Sequence, residues 1–432
     1  MCFKSELGSI YSGLWVIHKH LSQGVNITLI NMKIVGIDIS KASISACLLL
    51  EKATADANPR DTLYETNFHK FHADAAGICG LLNLIGDGKV IAVMEPTGIN
   101  YQKLWGTQLA RVGVEVRLVG HEELRSFRKH HLGLPDKDDD ADALALALYG
   151  WEYLDVPRRF LQIREEVIVK IRELALRLAH LNRVQSPIIN RARQDLAWQF
   201  PEAALIRSVR YGENVPLLWG WISGERPSKK YDRLYAESIG LGINESVRQH
   251  AARLCNLQRE EMAIEQELYK LLATPYFARY RKVFARFGFG QRVEALLLSQ
   301  IYPLENYLAA DGKPEIKIAK GRKSGKPTKR YLSLRRFMKA LGCAPSQESS
   351  GDLQRAKVMG GSALCRKALW QWLFTRIEPK NRRLSNDIGD RLGEILDSEK
   401  ASGRPVKLAR SRVIAKAVKI LFQELVKALA AG

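Results

Sequence analysis

Short β-branched, apolar runs alternate with helix-length stretches between Lys33 and Gly150, and this alternation limits the fold more than any other feature. Apolar residues repeat every second position in a half-buried strand and about every 3.6 positions in a helix, so the pattern separates the two. The first two runs are divided by a short polar turn, which predicts a β-hairpin. The predicted strands are KIVGIDI (33–39), SISACLLL (43–50), TLYETNFHKF (62–71), KVIAVME (89–95) and VEVRLV (114–119).

Helices are predicted between and after these strands, at about 73–86 and 100–112 and from about 121 and 139. Strands that alternate with helices are typical of an α/β domain, which we place at 32–157. Periodicity alone supports no finer assignment of the fold.

Two long stretches rich in Leu, Ile, Arg and Glu follow, at about 160–200 and 244–273. Both have helical spacing, and such helices can pair as an antiparallel coiled coil or pack on their own domain. The sequence leaves both open. The segment 198–235, which carries Trp and Pro, is predicted to be an insertion at the tip of the helical hairpin. We assign 158–275 to this helical middle part and 276–432 to a mainly helical C-terminal domain.

The positive charge of the chain lies in its C-terminal two-thirds. The formal net charge is +21, yet residues 33–150 hold 13 Lys and Arg against 16 Asp and Glu. Residues 151–432 hold 52 against 29. Such a surplus attracts polyanions and favours nucleic acid as the partner. GKPEIKIAKGRKSGKPTKRY (312–331) has eight basic residues and one Glu, and this composition predicts a mobile basic loop unless an anionic polymer orders it.

The sequence gives no sign of secretion or of a membrane span. No apolar run approaches the roughly 20 residues that cross a bilayer, and the N-terminus lacks the pattern of a signal peptide. The six cysteines are scattered, which favours reduced thiols over a disulfide or zinc framework. We therefore expect a cytoplasmic protein. Residues 1–31 show no clear period, and Met32 directly precedes the first predicted strand, so we treat 1–31 as a loose extension.

Four carboxylates stand out by position: Asp38 and Glu95 end predicted strands, and Asp139 and Asp142 begin a predicted helix. The i, i+3 spacing places Asp139 and Asp142 on one helix face. Strand ends and a helix terminus can converge on one point, as in active sites of open α/β sheets. Clustered carboxylates suit Mg²⁺ or Mn²⁺, which prefer oxygen ligands and can clamp a phosphate during its transfer. Taken singly, each acid is also explained as a turn former or as a helix-capping charge.

GIDISK (36–41), MEPTGINY (94–101) and KDDDADA (137–143) resemble the motifs of the DEDD transposases of the IS110 and IS1111 insertion-sequence families. The resemblance implies a RuvC-like, RNase H-like N-terminal domain, and the predicted order of strands and helices agrees with it. Asp138 falls at a variable position of the motif, so the choice between Asp138 and Asp139 as a ligand depends on the register. The family's Lys-x-Asp-x-x-Asp-Ala motif selects Lys137, Asp139, Asp142 and Ala143.

The C-terminal part resembles the same family. GCAPSQESSG (342–351) is similar to the family's serine turn, which implies that Ser350, or else Ser349, attacks DNA. Without the family, Ser350 is an ordinary loop serine. RFGFGQRVEALLLSQI (286–301) resembles the family's Pro-Gly-Ile-Gly hairpin that contacts phosphate, with Phe287 in place of the proline. Backbone N–H groups at the two glycines either bind phosphate or belong to a simple connector between helices. GGSALCRKAL (360–369) resembles the helix after the serine turn, where Arg366 either contacts a DNA phosphate or pairs with an acid.

The resemblance implies a transposase that cuts and rejoins DNA, is guided by a structured non-coding RNA and acts as a homo-oligomer, a dimer or tetramer associated with the nucleoid. A serine–phosphate link would conserve the energy of the broken bond. A hydrolytic RNase H-like nuclease or Holliday-junction resolvase needs the four acids but no serine and stays open. So does a non-catalytic nucleic-acid-binding scaffold, whereas a sugar-kinase-like ATPase lacks its second phosphate loop here. The predicted nucleic-acid contacts are Lys41, Lys137, Gly288, Gly290, Lys320, Arg322, Lys323 and Arg366.

Overall fold

A computed structural model describes residues 32–54, 57–96, 99–161, 163–321, 325–350 and 353–430, with the backbone alone at 99–100, 346–350 and 353–359. The predicted extension 1–31 and two predicted nucleic-acid contacts, Arg322 and Lys323, lie outside the described residues. The chain divides into two compact units, one that ends at Ile163 and one that begins at Arg164. Within the described part, no helix is both long and apolar enough to cross a membrane.

The first unit is built on one five-stranded sheet with the strand order β3-β2-β1-β4-β5. β1 is antiparallel to β2, and β2 is antiparallel to β3, which confirms the predicted hairpin. β4 runs parallel to β1, and β5 runs parallel to β4. The strands are β1 Met32–Ile39, β2 Ser43–Leu49, β3 Phe68–His72, β4 Lys89–Met94 and β5 Glu115–Leu118.

Helices cover both faces of this sheet, which confirms the α/β prediction. Ile34 and Val93 lie in the core on one face, and Val35 and Ala92 lie in the core on the other. Central strands buried on both faces read as continuous apolar runs, which is why β1 and β4 were recognisable. The helices are α1 Pro59–Glu65, α2 Ala75–Ile85, α3 Ile99–Arg111, α4 His121–Ser126 and α5 Asp139–Glu152, and a π-helical turn spans Phe127–His131.

The predicted third strand at 62–71 was wrong in its first half. That half belongs to α1, and β3 begins only at Phe68. The Asn58 side chain caps α1 by accepting a hydrogen bond from the Arg60 amide, and Pro59 occupies the first turn. Asn before Pro is a helix-start signal, and it outweighed the weak alternation of the following residues.

The second unit begins with a long helix, α6 Glu166–Gln199, that packs along a second one, α10 Glu245–Leu272. Both predicted long helices are therefore present. Between them lie three short helices whose side chains form a separate small core with the ends of α6 and α10. Phe200, Trp219 and Leu254 belong to this core. The short helices are α7 Pro201–Ala204, α8 Leu217–Ile222 and α9 Lys229–Ala236.

The rest of the second unit is mainly helical, as predicted, with two added β-hairpins. Its largest core contains Ile171 of α6 and Leu268 of α10 together with Trp372 and Leu421, so this core crosses the predicted boundary at 275/276. The remaining elements are α11 Ala278–Arg286, α12 Gln291–Ile301, β6 Ile316–Lys320, β7 Pro327–Tyr331, α13 Leu332–Ala340, β8 Ala344–Ser350, β9 Leu353–Gly360, α14 Ala363–Arg376, α15 Asp387–Ala401 and α16 Val406–Ala430.

The basic segment 312–331 is not the loop that its composition suggested. β6 and β7 pair as an antiparallel hairpin, with Lys317 opposite Arg330. The base of the hairpin is tied to α13, because the Leu332 amide donates to the Glu315 carbonyl and the Glu315 amide donates to the Ser333 hydroxyl. Backbone pairing and these contacts with α13 therefore order a ribbon whose described basic side chains lie largely in solvent.

Candidate active site

Two of the predicted acids lie at the carboxyl ends of neighbouring parallel strands. Ile37 of β1 pairs with Met94 of β4, so Asp38 and Glu95 follow at the same level of the sheet. Asp38 is half-buried, and the side chain of Glu95 is 17% exposed. The parallel register, which the sequence alone could not supply, brings these two carboxylates to one edge of the sheet.

The other two acids are brought to the same edge by α5, which packs directly on β1. A Cβ atom at Gly36 would lie 2.1 Å from the Ala143 carbonyl oxygen and 2.4 Å from the Ala147 amide nitrogen. Only glycine at position 36 allows this approach. The first turn of α5 carries Asp139, Asp140 and Asp142. The close contact of α5 with β1 at Gly36 therefore fixes where these acids lie relative to the ends of the strands.

Electrostatics show that the four acids lie near one another. The pKa of Asp38 is raised to about 7, first by burial and then by the negative charges of Asp142, Asp139 and Glu95. Burial also raises the pKa of Asp142, with a further contribution from Glu95 that is opposed by Arg128 and Lys137. Negative charges that raise the pKa of a carboxyl group in this way lie close to it. The structure therefore brings all four predicted acids together.

The neighbouring acids of α5 have other positions. Asp140 accepts a hydrogen bond from the Ser45 hydroxyl of β2, so it is turned toward the sheet. Asp138 is the N-cap residue of the helix and lies exposed. Asp139 is among the acids whose negative charge raises the pKa of Asp38.

Sequence reasoning missed the cation that faces these acids. The Arg128 side chain is 4% exposed, and its Nε lies 2.6 Å from Oδ1 of Asp142, whose own side chain is 14% exposed. Arg128 also donates to the Leu134 carbonyl at 3.0 Å and to the Asp136 carbonyl. It lies in the π-helical turn, and such turns are frequent at functional sites. The only sequence signal was the basic run RKHH a few residues before the acidic one.

Glu95 also has a partner that the sequence did not predict. Nδ1 of His121, at the start of α4, lies 2.8 Å from Oε2 of Glu95. His121 is exposed, so this contact can open without disturbing the core. Two of the four acids are therefore held by side chains of the protein itself.

The donor set fits a divalent cation of the Mg²⁺ class, although its side chains are not arranged as ligands in this structure. Across the described ranges, no group of three or more His, Cys, Asp or Glu side chains is placed to hold a metal ion. The contacts of Asp142 with Arg128 and of Glu95 with His121 account for that arrangement. Carboxylate oxygens are nevertheless the ligands that Mg²⁺ prefers, and the negative charges of three acids act on Asp38.

The predicted basic contacts near this site lie on its rim. Lys41 is exposed in the turn between β1 and β2, three residues after Asp38. Lys137 is exposed just before α5 and lowers the pKa of Asp142 through its charge. Both positions favour an anion that approaches the carboxylate edge.

In the second unit, the predicted serine turn is mostly a strand. Ser349 and Ser350 are the last residues of β8, and Ser350 pairs with Leu353 of β9 across a two-residue connection. The side chains of both serines and the whole of Gly351 lie outside the described residues. The serine turn at 342–351 was predicted from the resemblance to the family motif, and most of that segment pairs as a strand instead.

The base of the β8–β9 hairpin is held by tight backbone contacts. Gly361 has a φ of 90°, and a Cβ there would lie 1.5 Å from the Lys339 carbonyl oxygen. Arg366 donates from Nη1 to the Gly342 carbonyl at 3.0 Å. Of the two roles foreseen for Arg366, pairing with an acid is not seen among the side chains that the structure describes. The arginine instead ties the end of α13 to α14 beside the serine-bearing hairpin.

Gly288 and Gly290 lie in the connection between α11 and α12. Phe287, which stands where the family has proline, is fully buried and stacks on Phe289 at 5.3 Å. Trp372 donates from its indole nitrogen to the Phe287 carbonyl at 2.7 Å. The departure from the family motif is thus explained by packing, since the phenylalanine fills the core beneath the two glycines.

A family model for DEDD transposases of the IS110 type, described as a transposase, matches residues 35–201. This segment is similar to the DEDD transposase family. The match includes all four acids of the carboxylate edge and covers less than half of the chain. It identifies the protein as an enzyme of the DNA transposase and recombinase class, a family that generally uses divalent metal ions. A search of the curated proteins found no match.

Proposed function

We propose that this transposase cuts and rejoins DNA with a Mg²⁺-dependent carboxylate site in its first unit and a serine nucleophile in its second. The observation that carries the proposal is the convergence of Asp139, Asp142 and Glu95 on Asp38 at the end of β1. A structural role does not account for three acids whose negative charges all act on a fourth, half-buried one. A role in holding cations against phosphate does.

An RNase H-like fold for the first unit is part of this proposal. Its support is the strand order β3-β2-β1-β4-β5 with an antiparallel β1–β2–β3 meander, a parallel β4 and β5, and a helix that carries acids onto β1. The carboxyl ends of the central strands are where such open sheets place their ligands.

Asp38, Glu95, Asp139 and Asp142 would hold Mg²⁺, or Mn²⁺, which when bound neutralises charge on the phosphate that reacts. The protein's own residues have distinct tasks around them. Arg128 holds Asp142 at the carboxylate edge, and His121 would orient Glu95 as long as no metal ion is bound. Lys41 and Lys137 attract the DNA phosphate toward the acids.

Ser350 is the proposed nucleophile, with Ser349 as the alternative. Its hydroxyl oxygen forms a bond to phosphorus while the bond from phosphorus to one DNA oxygen breaks, and the serine proton passes through water to that leaving oxygen. A DNA hydroxyl later attacks the phosphoserine and releases the serine. Support comes from the position of both serines at the end of β8, beside the hairpin connection, where a strand can present a side chain to a substrate.

A structured guide RNA, a homo-oligomer and an α6–α10 coiled coil complete the proposal. The surplus of Lys and Arg in residues 151–432 suits two nucleic acids at once. The exposed β6–β7 ribbon offers Lys320 and further cations along both strands, and a two-stranded ribbon fits a nucleic-acid groove. α6 and α10 lie against each other over much of their length, as paired helices must.

The deciding experiment measures a covalent protein–DNA adduct with the full-length protein, element-end DNA and any adjacent structured RNA. We expect an adduct that requires Mg²⁺ or Mn²⁺ and is absent in Ser350→Ala but present in Ser349→Ala. The reverse result would assign the attack to Ser349. DNA cleavage retained in Ser350→Ala without an adduct would favour the hydrolytic nuclease. Binding without strand cleavage by the wild type in any metal would favour the scaffold.

A further inference from the structure

An open cavity of about 680 Å³ lies beside the connection between α11 and α12. Its walls include Gly290, Trp370, Phe374, Arg376 and Arg410. None of these aromatic residues belongs to the carboxylate edge or to the serine hairpin. The cavity is large enough for a nucleotide and combines flat apolar walls with positive charge.

The aromatic wall is covered by a fixed guanidinium group. The guanidinium carbon of Arg410 lies 5.1 Å from the ring centre of Phe374 and 5.7 Å from that of Trp370. Glu378 accepts two hydrogen bonds from Arg410, both of 2.9 Å, and this bidentate contact fixes the plane of the guanidinium. Phe374 is nevertheless 53% exposed, so one large aromatic surface stays available beside the cation.

The charge at the cavity is positive. Lys400 also donates to Glu378, at 2.6 Å, so two cations share one carboxylate. Arg376, exposed at the end of α14, has no ion-pair partner among the residues that the structure describes. At Gly290, no atom lies within 4 Å of the place a Cβ would take, so a ligand can approach the backbone there closely. An anion that carries a flat ring matches these features.

We propose that this cavity takes one unstacked nucleobase of a DNA strand, stacked on Phe374 and Trp370, with its phosphate facing Arg376. Every nucleobase has a π-face, so aromatic side chains bind unpaired bases with little regard to sequence. The proposal rests on the proposed function in one respect, namely that DNA strands are opened during the reaction. A base held there keeps an opened strand from pairing again.

The test uses the full-length protein and a single-stranded oligonucleotide that contains 2-aminopurine, whose fluorescence falls when the base is stacked. Wild type is expected to quench the probe, and Phe374→Ala to bind it about tenfold or more weakly and to lose the quenching. Phe374→Tyr, which keeps the ring, should restore both. Tyr269→Ala, which removes a 61% exposed aromatic of α10, is the matched control. Arg376→Ala should weaken binding and make the affinity less dependent on salt concentration. Arg382→Ala should change neither the affinity nor its salt dependence.

Three results would overturn the proposal: Phe374→Ala binding like Tyr269→Ala, an equal loss of affinity for duplex DNA, or an RNA of the same sequence bound more tightly through Phe374. Failure of the proposed function is distinguishable from these. An adduct that survives in Ser350→Ala contradicts the serine mechanism and leaves the base site intact. A Ser350-dependent adduct together with a neutral Phe374→Ala contradicts the base site alone.

Discussion

Arg128 and Asp142 form a nearly buried ion pair at the carboxylate edge, with Nε and Oδ1 2.6 Å apart. A buried carboxylate without a cation is strongly unfavourable, so this arginine lets an acid-rich edge fold before any metal ion arrives. The same pair means that Asp142 is already positioned when a cation binds to its neighbours. Arg128 therefore contributes both to the stability of the fold and to the positioning of Asp142 for a metal ion.

We expect Arg128→Met to lower the free energy of unfolding of the metal-free protein by about 3 kcal/mol, because Asp142 then lies buried without its partner. Chemical denaturation followed by circular dichroism measures this. Arg125→Met, at an exposed position on α4, is the control and should change little. A variant as stable as that control would show that Asp142 does not depend on Arg128.

Asp38→Asn should make the metal-free protein more stable at neutral pH, by about 1–3 kcal/mol. The pKa of Asp38 is raised to about 7 in the folded chain, so its ionisation opposes folding. This penalty is absent below the unfolded pKa of about 4 and is complete above pH 7. The stability difference between variant and wild type should therefore grow from pH 4 to pH 7.

The measurement for Asp38→Asn is thermal unfolding across that pH range, with and without Mg²⁺. Asp87→Asn, an exposed aspartate before β4, should follow the wild type. Mg²⁺ should raise the melting temperature of the wild type but not of Asp38→Asn. A loss of stability at pH 7 in Asp38→Asn would contradict the crowding of acids around it.

Gly36→Ala should cost about 3 kcal/mol or more, because the added methyl group collides with backbone atoms of α5 that cannot rotate away. The displaced helix would also move Asp139 and Asp142, so metal-dependent strand cleavage should fall further than stability does. Gly120→Ala has its nearest neighbour at 3.8 Å and should be tolerated. Unfolding curves and cleavage rates, compared at a temperature where both variants are folded, test this.

Glu265 links α10 to α12 and to the segment before α8. Burial acts to raise its pKa, but hydrogen bonds from Arg210 and Arg292 outweigh burial and lower the pKa below its usual value. Its contribution to stability is thus present at neutral pH and lost as the pH falls below about 4.5. We expect Glu265→Gln to cost about 1–3 kcal/mol at pH 7 and much less at pH 3. An equal cost at both pH values would contradict the pairing.

The fold of the first unit was largely predictable because the central strands are buried on both faces and so read as apolar runs. The exception, α1, buries no residue fully and is set by the local cap at Asn58. Apolar periodicity carries no information about such a helix. The β6–β7 ribbon was missed for a related reason: it is ordered by backbone pairing and by its contact with Ser333, neither of which leaves an apolar pattern.

The acids of the candidate site were predictable, and the side chains that contact them were not. Asp38 and Glu95 end strands, and Asp142 begins a helix, so their positions follow from the elements that carry them. Arg128 and His121 come from a π-helical turn and from the start of a short helix. Their contacts depend on how those pieces fold back over the sheet, which no spacing in the sequence encodes.

The amino-acid sequence alone determined the α/β class of the first unit, the acids at its element ends and the basic character of the second unit, because these follow from local periodicity and composition. Only the tertiary structure decided that β1 and β4 are parallel neighbours, that Gly36 admits α5 and that Arg128 faces Asp142. Those features depend on contacts between residues distant in the chain. Their energies come from packing and desolvation, which arise only when the chain has folded.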